Sequence, residues 1–449
     1  MNSILQEAKA IIKLALPIAI INIFIRAIDL TDAVMAGRTS TADLAMVSLS
    51  LSIWEPLFLF CLGCLYAITP VITQYIGKGK KSRTAMTIQH GMLVSLLLSV
   101  WIILVLQQVD YLASFLQITP DLLANTGRYL FFLSFGVPAL LGYLVLRNLC
   151  ESWSYLKPVL YINIAGFIIN IPLNYIFIKG IIVPEFGGMG CALATAMTWW
   201  FMLFSLMMYV RKNAGFQSVL VLQRWFRWRL TVFRDLLVTG LPVGLTLFAE
   251  VSMFAVAGIF IAGFGVIHAA SHQIAFDTAS ILFMLPLALA SATTIRVGFY
   301  RGAAKSACAH LVARISLMMA LLFVAVNITV LWLLQQLIPA WYTDDPAVLV
   351  LAGSLLWLVM ALQPGDVFQI NAMGILRGYK DTLVPFYVVI LAYWLTGFPV
   401  GLILAKTNWV TSPLGAYGFW LGFVISLSLS SILLIIRIIR QNRVHIFGA

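Results

Sequence analysis

The chain has 449 residues, of which 62% are hydrophobic and 10% charged, and its mean hydropathy is +1.00. This composition excludes a soluble globular domain and indicates an integral membrane protein that crosses the bilayer many times. The net charge of +12 does not indicate a nucleic-acid partner, because the Lys and Arg residues form short clusters between apolar segments, as in membrane proteins.

Apolar segments long enough to cross a bilayer, which takes about 20 residues, recur along the whole chain. The first follows a mixed-charge stretch directly, so we expect no cleavable signal peptide. Several segments exceed the length of one span, which predicts tilt or bends at prolines such as Pro17. Twelve spans are predicted, at 11–37, 45–77, 86–107, 126–150, 157–180, 188–211, 235–264, 270–298, 311–335, 349–375, 385–406 and 416–440.

Lys and Arg residues are distributed unequally between the two sides of the predicted membrane. When the loops are taken alternately, one set holds 23 basic residues and the other holds four, while Arg26 lies inside the first span. Because loops rich in Lys and Arg stay in the cytoplasm, this asymmetry predicts that both termini are cytoplasmic. The four residues on the sparse side are Arg38, Arg128, Lys179 and Lys406.

The two halves of the chain resemble each other at an offset of 225 to 226 residues. LALPIAIINIFIRAIDLTDAVMAG at 14–37 is echoed by TGLPVGLTLFAEVSMFAVAGIFIAG at 239–263, with Pro17 on Pro242. Six spans in each half predict an all-α integral membrane protein with two six-helix lobes, related by a pseudo-two-fold axis along the membrane normal. The predicted parts are an amino-terminal lobe at 1–211, a cytoplasmic linker at 212–234 with an RWFRWR core, and a carboxyl-terminal lobe at 235–449.

Motifs for catalysis, metal binding or nucleotide binding are missing from the sequence. The CxxC pair Cys61 and Cys64 has no His nearby, which favours a packing role, and the five histidines show no metal-ligand spacing. The basic stretch GKGKKSRT at 77–84 lacks the spacing of a phosphate-binding loop. We therefore expect neither an enzyme nor an ATP-driven pump, and no cofactor.

Acidic residues inside the predicted spans are the candidates for function. Each would cost roughly 2.5 to 3.5 kcal/mol near the centre of a lipid-facing helix, so we expect all of them to face a cavity. Arg26 and Asp29 share one helix face, where the arginine can neutralise the aspartate. Asp32 lies further from Arg26 and is the better candidate for titration. Apart from Asp235, which is the first residue of its predicted span, the six acidic residues are Asp29, Asp32, Glu55, Glu250, Asp277 and Asp366.

Short motifs in a fixed order and spacing run along essentially the whole chain. They are DAVMAG at 32–37, SIWEPLFLF at 52–60, TPVITQ at 69–74, RNLCE at 147–151, NIPLNYIFI at 170–178, LPVGLTLFAEVSMFAV at 241–256, HQIAF at 272–276, TIRVG at 294–298 and ILRGYKDT at 375–382. In the joint order and spacing of these motifs the chain resembles the multidrug and toxic compound extrusion (MATE) family, in particular its NorM-like branch.

The resemblance implies a secondary antiporter in a bacterial inner membrane that exports cationic or amphipathic organic compounds in exchange for H+ or Na+. We expect it to act as a monomer. A flippase for lipid-linked precursors, from the same wider superfamily, is the alternative, although such proteins usually have fourteen spans and a basic cavity. Residue types alone do not distinguish H+ from Na+ as the coupling ion, because carboxylates serve both.

Particular residues of this chain match functional positions of the family. Those matches imply that Asp32, Glu250 and Asp366 carry the coupling, and that Asn170, Asn174 and Thr195 complete a polar cluster around Asp32. The family pattern has a tyrosine where this chain has Leu362, and Pro364–Gly365 is expected to loosen the helix before Asp366. Glu55 and Asp277 stand outside the pattern, either as cavity charges or as satisfied structural residues.

Overall fold

The computed structural model describes residues 2–108, 120–181, 184–219, 221, 223, 228–409 and 412–447. All regular structure within these ranges is helical, and they contain no strand. The all-α fold predicted from the apolar segments is therefore confirmed. The helices are α1 (Asn2–Gly37), α2 (Thr41–Leu65), α3 (Ile68–Gly77), α4 (Arg83–Leu106), α5 (Pro120–Ser134), α6 (Val137–Ser152), α7 (Leu156–Lys179), α8 (Gly190–Lys212), α9 (Ala214–Gln217), α10 (Leu230–Ala262), α11 (Val266–Gly302), α12 (Ser306–Leu334), α13 (Leu337–Ala340), α14 (Pro346–Gly378), α15 (Leu383–Val389), α16 (Phe398–Lys406) and α17 (Ala416–Phe447).

The number of membrane-crossing helices agrees with the prediction. Eleven helical segments in the described chain are long and apolar enough to cross a bilayer, and the bent pair α5 and α6 makes twelve if it counts as one span. The two helices of that pair meet at an angle of 46°. A Cβ atom on Gly136, at the bend, would lie 2.6 Å from the Ala196 Cα, so glycine lets α8 approach closely there.

The eleventh span contains an unusual segment. Ile390–Gly397 is a π-helix that joins α15 to α16. At its end, a Cβ atom on Gly397 would lie 2.8 Å from the Gly422 carbonyl oxygen, which shows how closely α17 packs against the segment. Such π segments occur frequently at functional sites.

The chain forms two compact units. One unit is Ile20–Gly244, and the other consists of Met1–Ala19 with Leu245–Ala449. The boundary in α1 falls two residues after Pro17, and the boundary in α10 falls two residues after Pro242. The lobe limits drawn from the repeat, 1–211 and 235–449, stay a prediction.

The linker predicted at 212–234 is described only in part. It contains the short helix α9 and then the beginning of α10. Residues 220, 222 and 224–227, which include most of the RWFRWR core, lie outside the described chain. At the end of this segment, the backbone N–H of Arg229 donates to the ring Nε2 of His90 at 3.1 Å, within the unit Ile20–Gly244.

Candidate functional site

Asp32 occupies α1 and is buried, with only 3% of its surface exposed. Its two carboxylate oxygens accept hydrogen bonds from two different helices. Asn174 Nδ2 on α7 donates to Oδ1 at 2.7 Å, and Thr195 Oγ1 on α8 donates to Oδ2 at 2.5 Å. The carboxylate is therefore held by neutral donors.

Asn170 completes the Asp32 cluster, defined as Asp32, Asn170, Asn174 and Thr195. Asn174 Nδ2 donates to Asn170 Oδ1 at 3.1 Å, and Asn170 Nδ2 donates to Thr195 Oγ1 at 3.2 Å. Asn170 and Asn174 are one turn apart on α7, which places both amides on one face. The structure thus brings together four side chains that the sequence named separately, and all four are buried.

The Asp32 cluster contains one unsatisfied acceptor. Asn174 Oδ1 is buried and has no hydrogen-bond partner among the described residues. No Lys, Arg or His lies within 4.0 Å of the Asp32 carboxylate in the part of the chain that the structure covers. A buried carboxylate without a counter-charge gains strongly from binding a proton or a cation.

Arg26 contacts two carboxylates, and its closer partner is on another helix. Arg26 Nη2 donates to Glu55 Oε1 on α2, whereas Arg26 Nη1 lies 3.8 Å from Asp29 Oδ2. The sequence pairs Arg26 with Asp29 because they are three residues apart. That pairing is the longer of the two, since the packing of α2 brings Glu55 against the arginine.

Asp29 lies one turn before Asp32, close enough for the two charges to interact. The side chains of Arg26, Asp29 and Glu55 remain 45%, 33% and 30% exposed, whereas Asp32 is buried. The charged triad of Arg26, Asp29 and Glu55 is therefore partly exposed and lies beside the buried Asp32 cluster within one unit.

A second polar cluster occupies the unit that contains Leu245–Ala449. Gln369 Nε2 on α14 donates to Glu250 Oε1 on α10 at 2.7 Å and to the Tyr393 hydroxyl at 2.8 Å. Asp366, one turn before Gln369, is close enough to interact electrostatically with Glu250. We call Glu250, Asp366, Gln369 and Tyr393 the Glu250 cluster.

Gln369 and Tyr393 were missed by sequence reasoning. Gln369 could have been found, because it is three residues after Asp366 and therefore on the same helix face. Tyr393 lies in the π segment, and the adjacent Trp394 donates from Nε1 to the Ala249 carbonyl oxygen at 3.0 Å, which fixes that segment beside Glu250.

The departures from the family pattern in α14 have limited structural effect. Leu362 is buried and supplies no hydroxyl, but Tyr393 brings one to the Glu250 cluster from the eleventh span. The expected loosening before Asp366 is not observed, because α14 continues through Pro364 and Gly365. A Cβ atom on Gly365 would lie 2.8 Å from the backbone of α17, so glycine here permits close packing.

Asp277 lies on α11 and accepts a hydrogen bond from Gln273 Nε2, one turn earlier, at 2.9 Å. It is partly exposed. No group of three or more His, Cys, Asp or Glu side chains is arranged to hold a metal ion among the described residues. The two clusters above are therefore the principal candidates for the functional site.

Comparisons with known proteins point to one family. The MatE family model matches residues 17–176 and 242–403. Multidrug resistance protein NorM of Photobacterium profundum is 37% identical over 439 residues, which make up 98% of this chain and 96% of that protein.

Solved structures share the fold. The eukaryotic MATE transporter AtDTX14 is 17% identical, with a TM-score of 0.89 over 98% of each chain. The MATE transporter VcmN of Vibrio cholerae in its bent form is 17% identical, with a TM-score of 0.85 over 99% of this chain and 98% of that one.

Proposed function

Because the chain belongs to the multidrug and toxic compound extrusion family, we propose that it exports cationic or amphipathic organic compounds in exchange for H+ or Na+. The observation that carries the proposal is the Asp32 carboxylate. It is buried in a membrane span and bonded only to neutral donors in the described chain. Ionisable groups inside membrane spans mark ion and substrate pathways.

The Asp32 cluster has the groups needed to exchange a cation for a proton. As a carboxylate, Asp32 attracts an organic cation in surroundings of low dielectric. When a proton arrives, the neutral acid has an O–H to donate. Asn174 Oδ1 can accept it if the amide rotates by half a turn, which breaks the hydrogen bond from Asn174 Nδ2 to Asn170 Oδ1. Protonation of Asp32 therefore rearranges the amides of the cluster and removes the attraction of Asp32 for the organic cation.

The charged triad has a supporting role in this proposal. Glu55 engages Arg26 more closely than Asp29 does, so part of the Asp29 charge remains to act on Asp32. The Glu250 cluster supplies two further carboxyl groups, Glu250 and Asp366, that can bind a coupling ion. We propose that Asp32 carries out the exchange, and that the triad sets its affinity for the proton.

Proteoliposomes test the proposal and identify the ion. Uptake of ethidium by vesicles containing the purified protein is followed under an imposed pH gradient and, separately, under a Na+ gradient. The gradient that drives ethidium uptake identifies the coupling ion. If neither gradient moves ethidium but labelled lipid is flipped in the same vesicles, the antiporter proposal is wrong and the flippase is favoured.

The proposal includes a monomer in the bacterial inner membrane with both termini cytoplasmic, as the basic residues predict. In a Cys308→Ser background, single cysteines at Ser82 and Asn213 should react with an impermeant maleimide only from the cytoplasmic side. Cysteines at Asp121 and Asp344 should react only from outside. The reverse pattern would contradict the orientation, and mixed labelling would contradict the number of spans.

A further inference from the structure

One ammonium group in the described chain lies against two aromatic rings at the end of a span. Lys406 Nζ is 4.5 Å from the ring centroid of Phe260 and 5.9 Å from that of Phe264. These distances are within the range of favourable cation–π contacts. No carboxylate lies within 4.0 Å of this ammonium among the described residues, so the rings are its principal partners.

The two rings are held from behind by other aromatic side chains. Phe419, which is only 1% exposed, packs at 5.9 Å from Phe260 and 6.5 Å from Phe264, measured between centroids. Phe398 adds a contact to Phe260 at 6.0 Å. The rings therefore belong to a fixed aromatic wall, whereas Lys406 is exposed and joined to it by a flexible stem.

The other half of the chain provides an internal comparison. Lys179 and Lys406 are each the last residue of the helix that ends the fifth span of its half, α7 and α16. No aromatic ring lies under the Lys179 ammonium in the part of the chain that the structure describes, although both lysines are exposed. The contact between a lysine ammonium and aromatic rings is therefore specific to Lys406 and is not a general feature of this helix end.

We propose that Phe260 and Phe264 form a binding site for the exported organic cation, and that Lys406 occupies this site when the compound is absent. The inference rests on the proposed function. Two aromatic faces around one positive charge bind organic cations, and the lysine ammonium is a weaker ligand because it is strongly hydrated. The site is on the sparse side of the charge distribution, which predicts that it faces outward, where an exported compound leaves.

The site lies on the same helix as the Glu250 cluster. Phe260 is ten residues beyond Glu250 on α10, which corresponds to about 15 Å along the helix axis. Lys406 then competes with the compound for the rings at the end of the route. Removing the Lys406 charge should strengthen binding of the compound, and removing the Phe260 ring should weaken that binding.

Titration of tetraphenylphosphonium onto the protein in a maltoside detergent, which has no cationic headgroup, tests the site. Lys406→Gln should lower the Kd roughly five-fold, the factor that corresponds to about 1 kcal/mol of cation–π attraction. Lys406→Arg should not lower the Kd, because it retains the competing charge and the weakly hydrated guanidinium stacks on aromatic rings at least as well as the ammonium. Lys179→Gln is the matched control and should also leave the Kd unchanged.

A double variant separates the site from a general charge effect. Phe260→Leu keeps an apolar side chain but removes the aromatic face, so Lys406→Gln should no longer improve binding in its presence. If Lys406→Gln leaves the Kd unchanged, or improves it equally with Leu at position 260, the inference is overturned. Those Kd results overturn this site alone, whereas parent protein that moves no organic cation in proteoliposomes would overturn the proposed function as well.

Discussion

The Asp32 cluster and the Glu250 cluster both hold acidic side chains inside membrane spans, but they differ in the number of carboxyl groups and in their exposure. Asp32 is a single carboxylate, buried and bonded to one amide and one hydroxyl from two helices. Glu250 is partly exposed, shares its surroundings with a second carboxyl group at Asp366, and is bonded to an amide that also contacts a tyrosine. The first cluster has one exchangeable charge, whereas the second has two.

The difference indicates a division of roles. A lone buried carboxylate can be neutralised by one proton, after which the cluster contains no charge at all. Two neighbouring carboxylates repel each other, so a cation or a proton shared between them relieves that repulsion. The Asp32 cluster is therefore suited to all-or-none exchange, and the Glu250 cluster to retaining a positive charge. The following variants test that distinction.

The largest effect is expected for Asp32→Asn. The amide has nearly the same shape but cannot exchange a proton or attract a cation, so gradient-driven ethidium transport should fall to the level of empty vesicles. Transport by purified protein in proteoliposomes measures it. Asp344→Asn, which neutralises an exposed loop carboxylate, should transport like the parent. A normal rate and pH profile for Asp32→Asn would remove this residue from the mechanism.

A smaller but substantial loss is expected for Glu250→Gln and Asp366→Asn. Each leaves one carboxyl group in the Glu250 cluster, so each should reduce transport roughly ten-fold, within the 1–3 kcal/mol typical of coupling between sites. The amount of protein inserted in the membrane should be unchanged. Exposed Glu185 offers the matched control Glu185→Gln. If both cluster variants export ethidium as fast as the parent, this cluster does not contribute to coupling.

Thr195→Val tests the neutral donors around Asp32. It removes the hydroxyl that donates to Oδ2 while keeping the side chain's shape. A hydrogen bond to a charged group contributes about 1.5–3 kcal/mol, so transport should fall by roughly ten-fold or more and its pH profile should move. Thr198→Val is the control, because among the described residues the buried Thr198 hydroxyl bonds only the Ala194 carbonyl of its own helix. Equal effects of the two variants would mean a packing defect.

Much of the fold follows from the sequence, because hydropathy determines which segments can cross a bilayer. The interruptions inside spans do not follow from it. The span predicted at 126–150 is bent at Gly136, and the eleventh contains a π segment. At each interruption another helix packs closely, through Ala196 at Gly136 and through Gly422 at Gly397. Local sequence does not specify such contacts.

The same limit applies to the two clusters. Acidic residues are rare in apolar segments and are easily recognised there, so Asp32, Glu250 and Asp366 could be selected from the sequence. Their partners could be selected only where a helix face connects them, as Asn170 and Asn174 are connected on α7. The contact between Arg26 and Glu55 depends on the packing of α1 against α2, and spacing along one helix favoured Asp29 instead.

The smallest effect is expected for Asp29→Asn, which should keep transport and displace its pH profile. Arg26 shares its single positive charge between Glu55 and Asp29, so Asp29 is not fully neutralised and its charge reaches Asp32 one turn away. Removing that charge changes how readily Asp32 exchanges its proton but leaves both hydrogen bonds to Asp32 intact. Transport measured across a series of external pH values in proteoliposomes detects the displacement.

Glu55→Gln provides the second arm of this test. With Glu55 neutral, Arg26 loses its closer partner and can turn fully to Asp29, which neutralises the same charge without altering Asp29 itself. The pH profile should therefore move in the same direction as in Asp29→Asn, and by less. An inactive Asp29→Asn would make Asp29 part of the exchange site. Opposite displacements in the two variants would show that the triad acts on Asp32 by some route other than the Asp29 charge.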